Sequence, residues 1–183
     1  MSNVSPTLLI ACGALAAEAD AVLKQGGLDH VKLTCLPAKL HNTPQKIPEL
    51  LRAKIREHRD AFETILVLYG DCGTAGGIDA VLQEEGASRI TGAHCYEFYA
   101  GSREFEILSD EEPGSFYLTD FLVRHFDRLV WEGLGLDRQR RSSRRCGVRG
   151  SGARDVGSRA GAAGDSGRKP SLVGYHSFRR LTL

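Results

Sequence analysis

The chain has 183 residues, 42% of them hydrophobic, with a formal net charge of +1. That length and apolar content suit one domain with a buried core, and no apolar run reaches the ~18 residues of a membrane-spanning helix. The neutral balance hides two halves: residues 1–136 carry 12 Lys and Arg against 20 Asp and Glu, whereas 137–183 carry 12 against 3.

Thr7-Leu8-Leu9-Ile10-Ala11-Cys12 reads as a short buried strand, and Gly13 marks its turn. The Ala- and Leu-rich stretch from Ala14 to Gln25 predicts a helix closing at Gly26-Gly27. His30 to Pro37 alternates in polarity and reads as a second strand at a sheet edge. A loop from Ala38 to Pro44 follows, carrying His41 and Asn42. Pro48 then suits the first turn of a helix running to Asp60, with Leu50, Leu51 and Ile55 at helical spacing.

Thr64 to Tyr69 is the clearest buried strand. It runs into Gly70-Asp71-Cys72-Gly73-Thr74-Ala75-Gly76-Gly77 and then a helix from about Ile78 to Glu85. Ser88 to His94 reads as a weaker fourth strand. After a turn at Glu111-Glu112-Pro113-Gly114, residues Tyr117 to Trp131 place Leu118, Phe121, Leu122, Phe126, Leu129 and Val130 on one helical face. Strand and helix in alternation imply an α/β, Rossmann-like, doubly wound fold. Its mainly parallel sheet has about four strands with flanking helices, and the domain spans residues 7–136.

Residues 137–183 read differently. From Arg138 the chain turns to Arg, Gly, Ser and Ala, and no apolar periodicity survives to about Pro170. A basic nucleic-acid arm, a plain disordered tail and an out-of-frame translation of a GC-rich gene all fit that composition. The last is preferred, because the change falls at a sensible helix end, Gly133-Leu134-Gly135-Leu136, and a nucleic-acid role is not expected.

Cys12, Cys72 and Cys95 each stand at the end of a predicted strand. In a parallel sheet all such ends share one edge, where ligand crevices form. Five cysteines, an odd number without regular spacing, argue against a disulfide framework and for a reducing, cytoplasmic setting. Thiolates from separate loops suit a catalytic-type metal site, so Cys12, Cys72, Cys95 and His41 are the candidate ligands. Zinc is the default metal and an iron–sulfur cluster the rival. Cys72, His94 and Glu97 are the candidate catalytic groups. In an extended segment Cys95 and Glu97 face one way, His94 and Tyr96 the other. A metal-free enzyme with Cys72 as nucleophile and His94 as base is the alternative. Gly73, Thr74 and Gly76 resemble an anion-binding turn before a helix; a plain glycine turn with Asp71 or Thr74 as helix cap is the alternative. Neither a P-loop nor a dinucleotide fingerprint is present, so no nucleotide is expected.

Several pieces in order carry a family resemblance: Leu9-Ile10-Ala11-Cys12-Gly13, Leu36-Pro37-Ala38-Lys39-Leu40-His41-Asn42, Tyr69-Gly70-Asp71-Cys72-Gly73, His94-Cys95-Tyr96-Glu97 and Pro113-Gly114-Ser115-Phe116-Tyr117. Over residues 7–137 the chain resembles the bacterial and archaeal family DUF1638, whose role is not established. Genes of its members often lie beside those of corrinoid-dependent methyltransferases. The resemblance implies an α/β domain in which Cys12, His41, Cys72, Cys95 and Glu97 occupy motif positions. It also implies a role in corrinoid-linked one-carbon metabolism, with a corrinoid protein or methyltransferase as partner. A non-catalytic accessory or assembly protein for such a system is the competing expectation. Family members continue past residue 137 with further α/β sequence, and there this chain departs.

Overall fold

The computed structural model describes residues 5–111 and 116–133, and the backbone of 172–175 and 178–181. Four parallel strands, β1 (Thr7–Cys12), β2 (Val31–Leu36), β3 (Thr64–Leu68) and β4 (Ser88–Arg89), form a sheet in the order β2-β1-β3-β4. The register pairs Ile10 with both Thr34 and Val67. This is the doubly wound α/β architecture expected from the alternation of elements.

Helices α1 (Ala16–Gln25), α2 (Ile47–His58) and α3 (Gly77–Glu85) connect the strands. Apolar residues at i, i+4 and i+8 on α2 (Ile47, Leu51, Ile55) are fully buried, as are Ile78 and Val81 of α3. They pack on the sheet face that carries Leu8, Ile10, Ile65 and Val67. Arg52 and Arg56 of α2 meet Glu84 and Glu85 of α3 at 2.6 and 2.7 Å. These pairs are surface-exposed and contribute little. Helix α1 takes the opposite face, where Leu9 and Leu68 lie. Helices therefore change sides between β1 and β3. In open α/β sheets that reversal opens a crevice at the carboxyl ends of the two strands, and β1 ends in Cys12.

Two local expectations are corrected, and one stretch without a predicted element is filled in. The strand predicted over Ser88 to His94 pairs only at Ser88 and Arg89. Beyond them the chain turns across the end of β3 and gives its backbone partners to Asp71 and Cys72. The stretch after His94 forms two short helices, α4 (Glu97–Ala100) and α5 (Ser102–Glu111). The helix predicted over Tyr117 to Trp131 is divided. Phe116–Thr119 is a strand, β5. The Thr119 hydroxyl then accepts the Leu122 N–H at 3.3 Å and caps α6 (Asp120–Arg124). A π-helical turn, Asp127–Trp131, follows. The apolar face survives the division, with Leu118, Leu122, Leu129 and Val130 forming one buried cluster.

Most of the tail expected to be disordered or out of frame, residues 137–183, lies outside the described residues, as does the Glu112-Pro113-Gly114 part of the turn. Within the tail the backbone forms two strands, β6 (Leu172–Tyr175) and β7 (Phe178–Leu181), which make an antiparallel sheet with β5 in the order β5-β7-β6. Among the described residues no helix is long and apolar enough to cross a membrane.

Candidate thiol site at the sheet switch point

Cys12 closes β1 and is buried. The chain leaving it passes close to the exit of β2: a side chain at Gly13 would lie 2.8 Å from the Leu36 carbonyl oxygen. Glycine is required there by space. Gly70, just after β3, is tighter still. A Cβ there would stand 2.5 Å from the carbonyl carbon of His94 and 2.8 Å from the nitrogen of Cys95. The missing side chain lets the 92–95 segment lie against the end of β3. Two backbone bonds hold it there: Asp71 N–H to Gly92 C=O and Cys72 N–H to Ala93 C=O, both 2.8 Å. Arg89 reinforces the join, forking onto the Asp79 carboxylate at 2.6 and 2.8 Å while donating to the carbonyls of Tyr69 and Gly92.

The result is a junction of three thiols. The sulfurs of Cys72 and Cys95 are 3.2 Å apart, and Cys12 lines the same cavity. They line a cavity of about 210 Å³ whose wall includes His41, His94, Tyr69, Tyr96 and Tyr99, with Leu15, Ile47, Leu122 and Leu129 on the apolar side. The His94 ring stacks on Tyr96, centroids 4.7 Å apart.

Hydrogen bonding separates the thiols. The bond from Cys95, joined by one from His94, outweighs burial and brings the Cys72 pKa down to about 5. Cys12 is also lowered, chiefly by its bond with Cys95. Cys95 is raised well above the ordinary thiol value by its hydrogen bonding with Cys12 and Cys72 and by burial. Burial raises the Tyr69 hydroxyl, which bonds to Cys12. Desolvation of the His41 ring lowers its pKa. One expectation follows for metal-free protein: iodoacetamide should label Cys72 with a rate half-maximal near pH 5. The Cys95→Ala substitution should move that midpoint upward. Labelling that begins only above pH 8 would contradict the hydrogen-bond arrangement.

A family model described as a protein of unknown function (DUF1638) matches residues 35–149. The chain belongs to the DUF1638 family. No curated protein and no solved structure matches it. His41, Cys72 and Cys95 fall inside the stretch matched to DUF1638, whereas Cys12 precedes it. The junction therefore joins the DUF1638 stretch to the strand before it.

The site gathers Cys12, His41, Cys72, His94 and Cys95 of the predicted residues in this DUF1638 domain. Glu97 is placed elsewhere. Its carboxylate accepts the Ala93 N–H at 2.7 Å, and it lines a separate groove beside α1. The extended geometry assumed for His94 to Glu97 does not hold, since the segment turns into α4. His94, Cys95 and Tyr96 consequently all reach the cavity. The anion-binding reading of Gly73, Thr74 and Gly76 meets an internal occupant. The Asp71 carboxylate accepts from the Thr74 hydroxyl at 2.6 Å, Gly76 N–H at 2.9 Å and Ala75 N–H at 3.1 Å. Those donors serve the loop itself. Among the described residues no group of three His, Cys, Asp or Glu side chains stands in ready-made ligating geometry.

Sequence reasoning missed Tyr69, Tyr96 and Tyr99 as walls. The alternative of a capped glycine turn is the one the hydrogen bonds of Asp71 match. Cys72 and Ala75 both hold positive φ, 49° and 53°, a conformation costing about 1–2 kcal/mol for a residue with a side chain. Burial works to raise Asp71, but its hydrogen bonds prevail and hold its pKa below the usual carboxylate value. Its contribution to stability is therefore complete above the unfolded-state pKa of about 4. It is lost as pH falls through the lower folded value. At pH 7, Asp71→Ala should destabilise the protein by about 1–3 kcal/mol in urea unfolding, and the deficit should shrink in acid.

Proposed function

We propose that this chain holds a thiophilic metal, zinc by default, through Cys12, Cys72 and Cys95, with His41 as the fourth donor. One observation carries the reading: thiols from the end of β1, the turn after β3 and the segment crossing it line one cavity, two of them with sulfurs 3.2 Å apart. The donor set is soft, and a lowered Cys72 pKa reduces the cost of deprotonating a ligand. Zn–S bonds of about 2.3 Å in a tetrahedron separate sulfurs by roughly 3.8 Å. Cys72 and Cys95 need to part by about 0.6 Å, a side-chain adjustment. An iron–sulfur cluster draws on the same donors.

Zinc held there by the three sulfurs would supply Lewis-acid polarisation of a donor atom that takes the place of His41 as fourth ligand. The protein's own groups would do the rest. Tyr69 fixes the Cys12 sulfur, His94 fixes Cys72, and the aliphatic wall limits water. The setting we assign, corrinoid-linked one-carbon metabolism in the cytoplasm, rests on the genes that accompany members of the DUF1638 family. In that setting the partner is a corrinoid protein or its methyltransferase, served either catalytically or as an accessory.

Cobalt(II) titration under anaerobic conditions tests the centre. Thiolate ligation gives an intense near-ultraviolet charge-transfer band that saturates at one equivalent and weakens with each Cys→Ser replacement. Cobalt spectra of the hexa-aquo ion alone would refute it. A specific observation favours a second reading, a metal-free thiol enzyme: His94 and Cys72 line the same cavity, and the surroundings of Cys72 bring its pKa down to about 5. Single-site labelling of Cys72 by an electrophile, with no metal bound, would support that reading.

A further inference from the structure

We infer that Cys72 and Cys95 form a reversible dithiol–disulfide couple, and that its oxidation dismantles the three-sulfur site. The sulfurs stand 3.2 Å apart without a covalent bond. Their chains are registered by the Cys72 N–H to Ala93 C=O bond and by the close passage of the 92–95 segment over Gly70. Bonding the two sulfurs requires about 1.2 Å of further approach to reach the ~2.0 Å S–S length. Side-chain rotation supplies that without unpicking the backbone join. Cys35, the other cysteine of the described sheet, lies within β2 and outside the cavity.

The oxidant is a low-molecular-weight disulfide, RSSR. The Cys72 sulfur attacks one sulfur of RSSR, making a mixed disulfide and expelling RS⁻. Cys95 then attacks the Cys72 sulfur and expels the second RS⁻. The two protons that leave the cysteines convert both RS⁻ to RSH. Two thiols and RSSR thus become one protein disulfide and two RSH, with two electrons passing to the oxidant. Cys12 keeps its thiol. Metal release on oxidation rests on the metal-centre reading above, because two of its donors would be consumed; the disulfide itself does not.

Full-length reduced, metal-free protein is equilibrated with oxidised glutathione, alkylated and mapped by mass spectrometry. The expected result is a Cys72–Cys95 cross-linked peptide and a fall in free thiols from five to three. Cys95→Ser should instead retain glutathione on Cys72, while Cys12→Ser should still form the cross-link. A cross-link through Cys12, or five alkylated thiols in oxidised buffer, would overturn the inference. Circular dichroism of each variant separates chemistry from misfolding, since wild-type mapping decides the question alone. A parallel sample loaded with zinc should lose the metal in step with the disulfide. Failure to take up zinc, with the cross-link still forming, would refute the metal centre and leave the redox couple standing.

Discussion

Anaerobically purified protein should contain about one equivalent of thiophilic metal, and Cys72→Ala should reduce it to background. Cys72 carries the largest expected effect because it is the central acceptor of the junction, bonded to Cys95 and to His94. Removing it leaves Cys12 and Cys95, too few sulfurs for a stable site. Cys12→Ala and Cys95→Ala should each weaken binding strongly. His41→Ala should do so less, because three sulfurs remain and water can replace the imidazole as fourth ligand. Cys35→Ser is the control and should retain full metal, since Cys35 lies within β2 outside the cavity and desolvation raises its pKa. Bound metal should also raise thermal stability, by about 2.7 kcal/mol when its concentration is a hundredfold above Kd. Elemental analysis with an assay for acid-labile sulfide distinguishes zinc from iron–sulfur. Metal-free wild type, purified without chelator, would end the proposal.

Gly70→Ala should damage both fold and site. Its Cβ would fall within 2.8 Å of three backbone atoms of His94 and Cys95, and backbone cannot rotate aside as a side chain can. The segment must lift, breaking the Asp71–Gly92 and Cys72–Ala93 bonds and carrying Cys95 away from Cys72. Overpacking of this kind costs about 1–3 kcal/mol, and the two lost hydrogen bonds add to it. Urea denaturation measures the first effect; the rate of Cys72–Cys95 cross-linking measures the second. Gly86→Ala is the matched control. It replaces a glycine at φ +61° with open space around it, so it should cost about 1–2 kcal/mol of backbone strain while leaving the cross-linking rate unchanged. Equal cross-linking rates in both variants would show that Gly70 does not set the sulfur spacing.

Much of the parallel sheet could be read from residues 7–68 because β1 and β3 are compact apolar runs and β2 alternates in polarity as an edge strand does, with glycine or proline close after each. Strand β1 matches its predicted span at both ends. The approach of Cys12 and Cys72 was legible for the same reason, since parallel topology puts the ends of β1 and β3 together; Cys95 joins them on the turn across β3 and not from a strand end. Illegible features depended on tertiary neighbours. Tyr117 to Trp131 has the spacing of one helix, and only the Thr119 cap and the pairing with β7 divide it. The fourth strand stops at Arg89 because the next residues are claimed by Asp71 and Cys72, a contact no local pattern announces. The role of Glu97 was misjudged through assumed strand alternation where the chain turns into a helix.

The Asp71 carboxylate leaves a thermodynamic signature for any guest. A glycine-rich turn before a helix commonly waits for an external anion to complete it. Here that vacancy is filled by the protein's own side chain, so the scaffold carrying Cys72 is already rigid when a ligand arrives. Uptake should therefore proceed with little entropic penalty from the loop, and heat-capacity changes should reflect the apolar wall instead of a folding event.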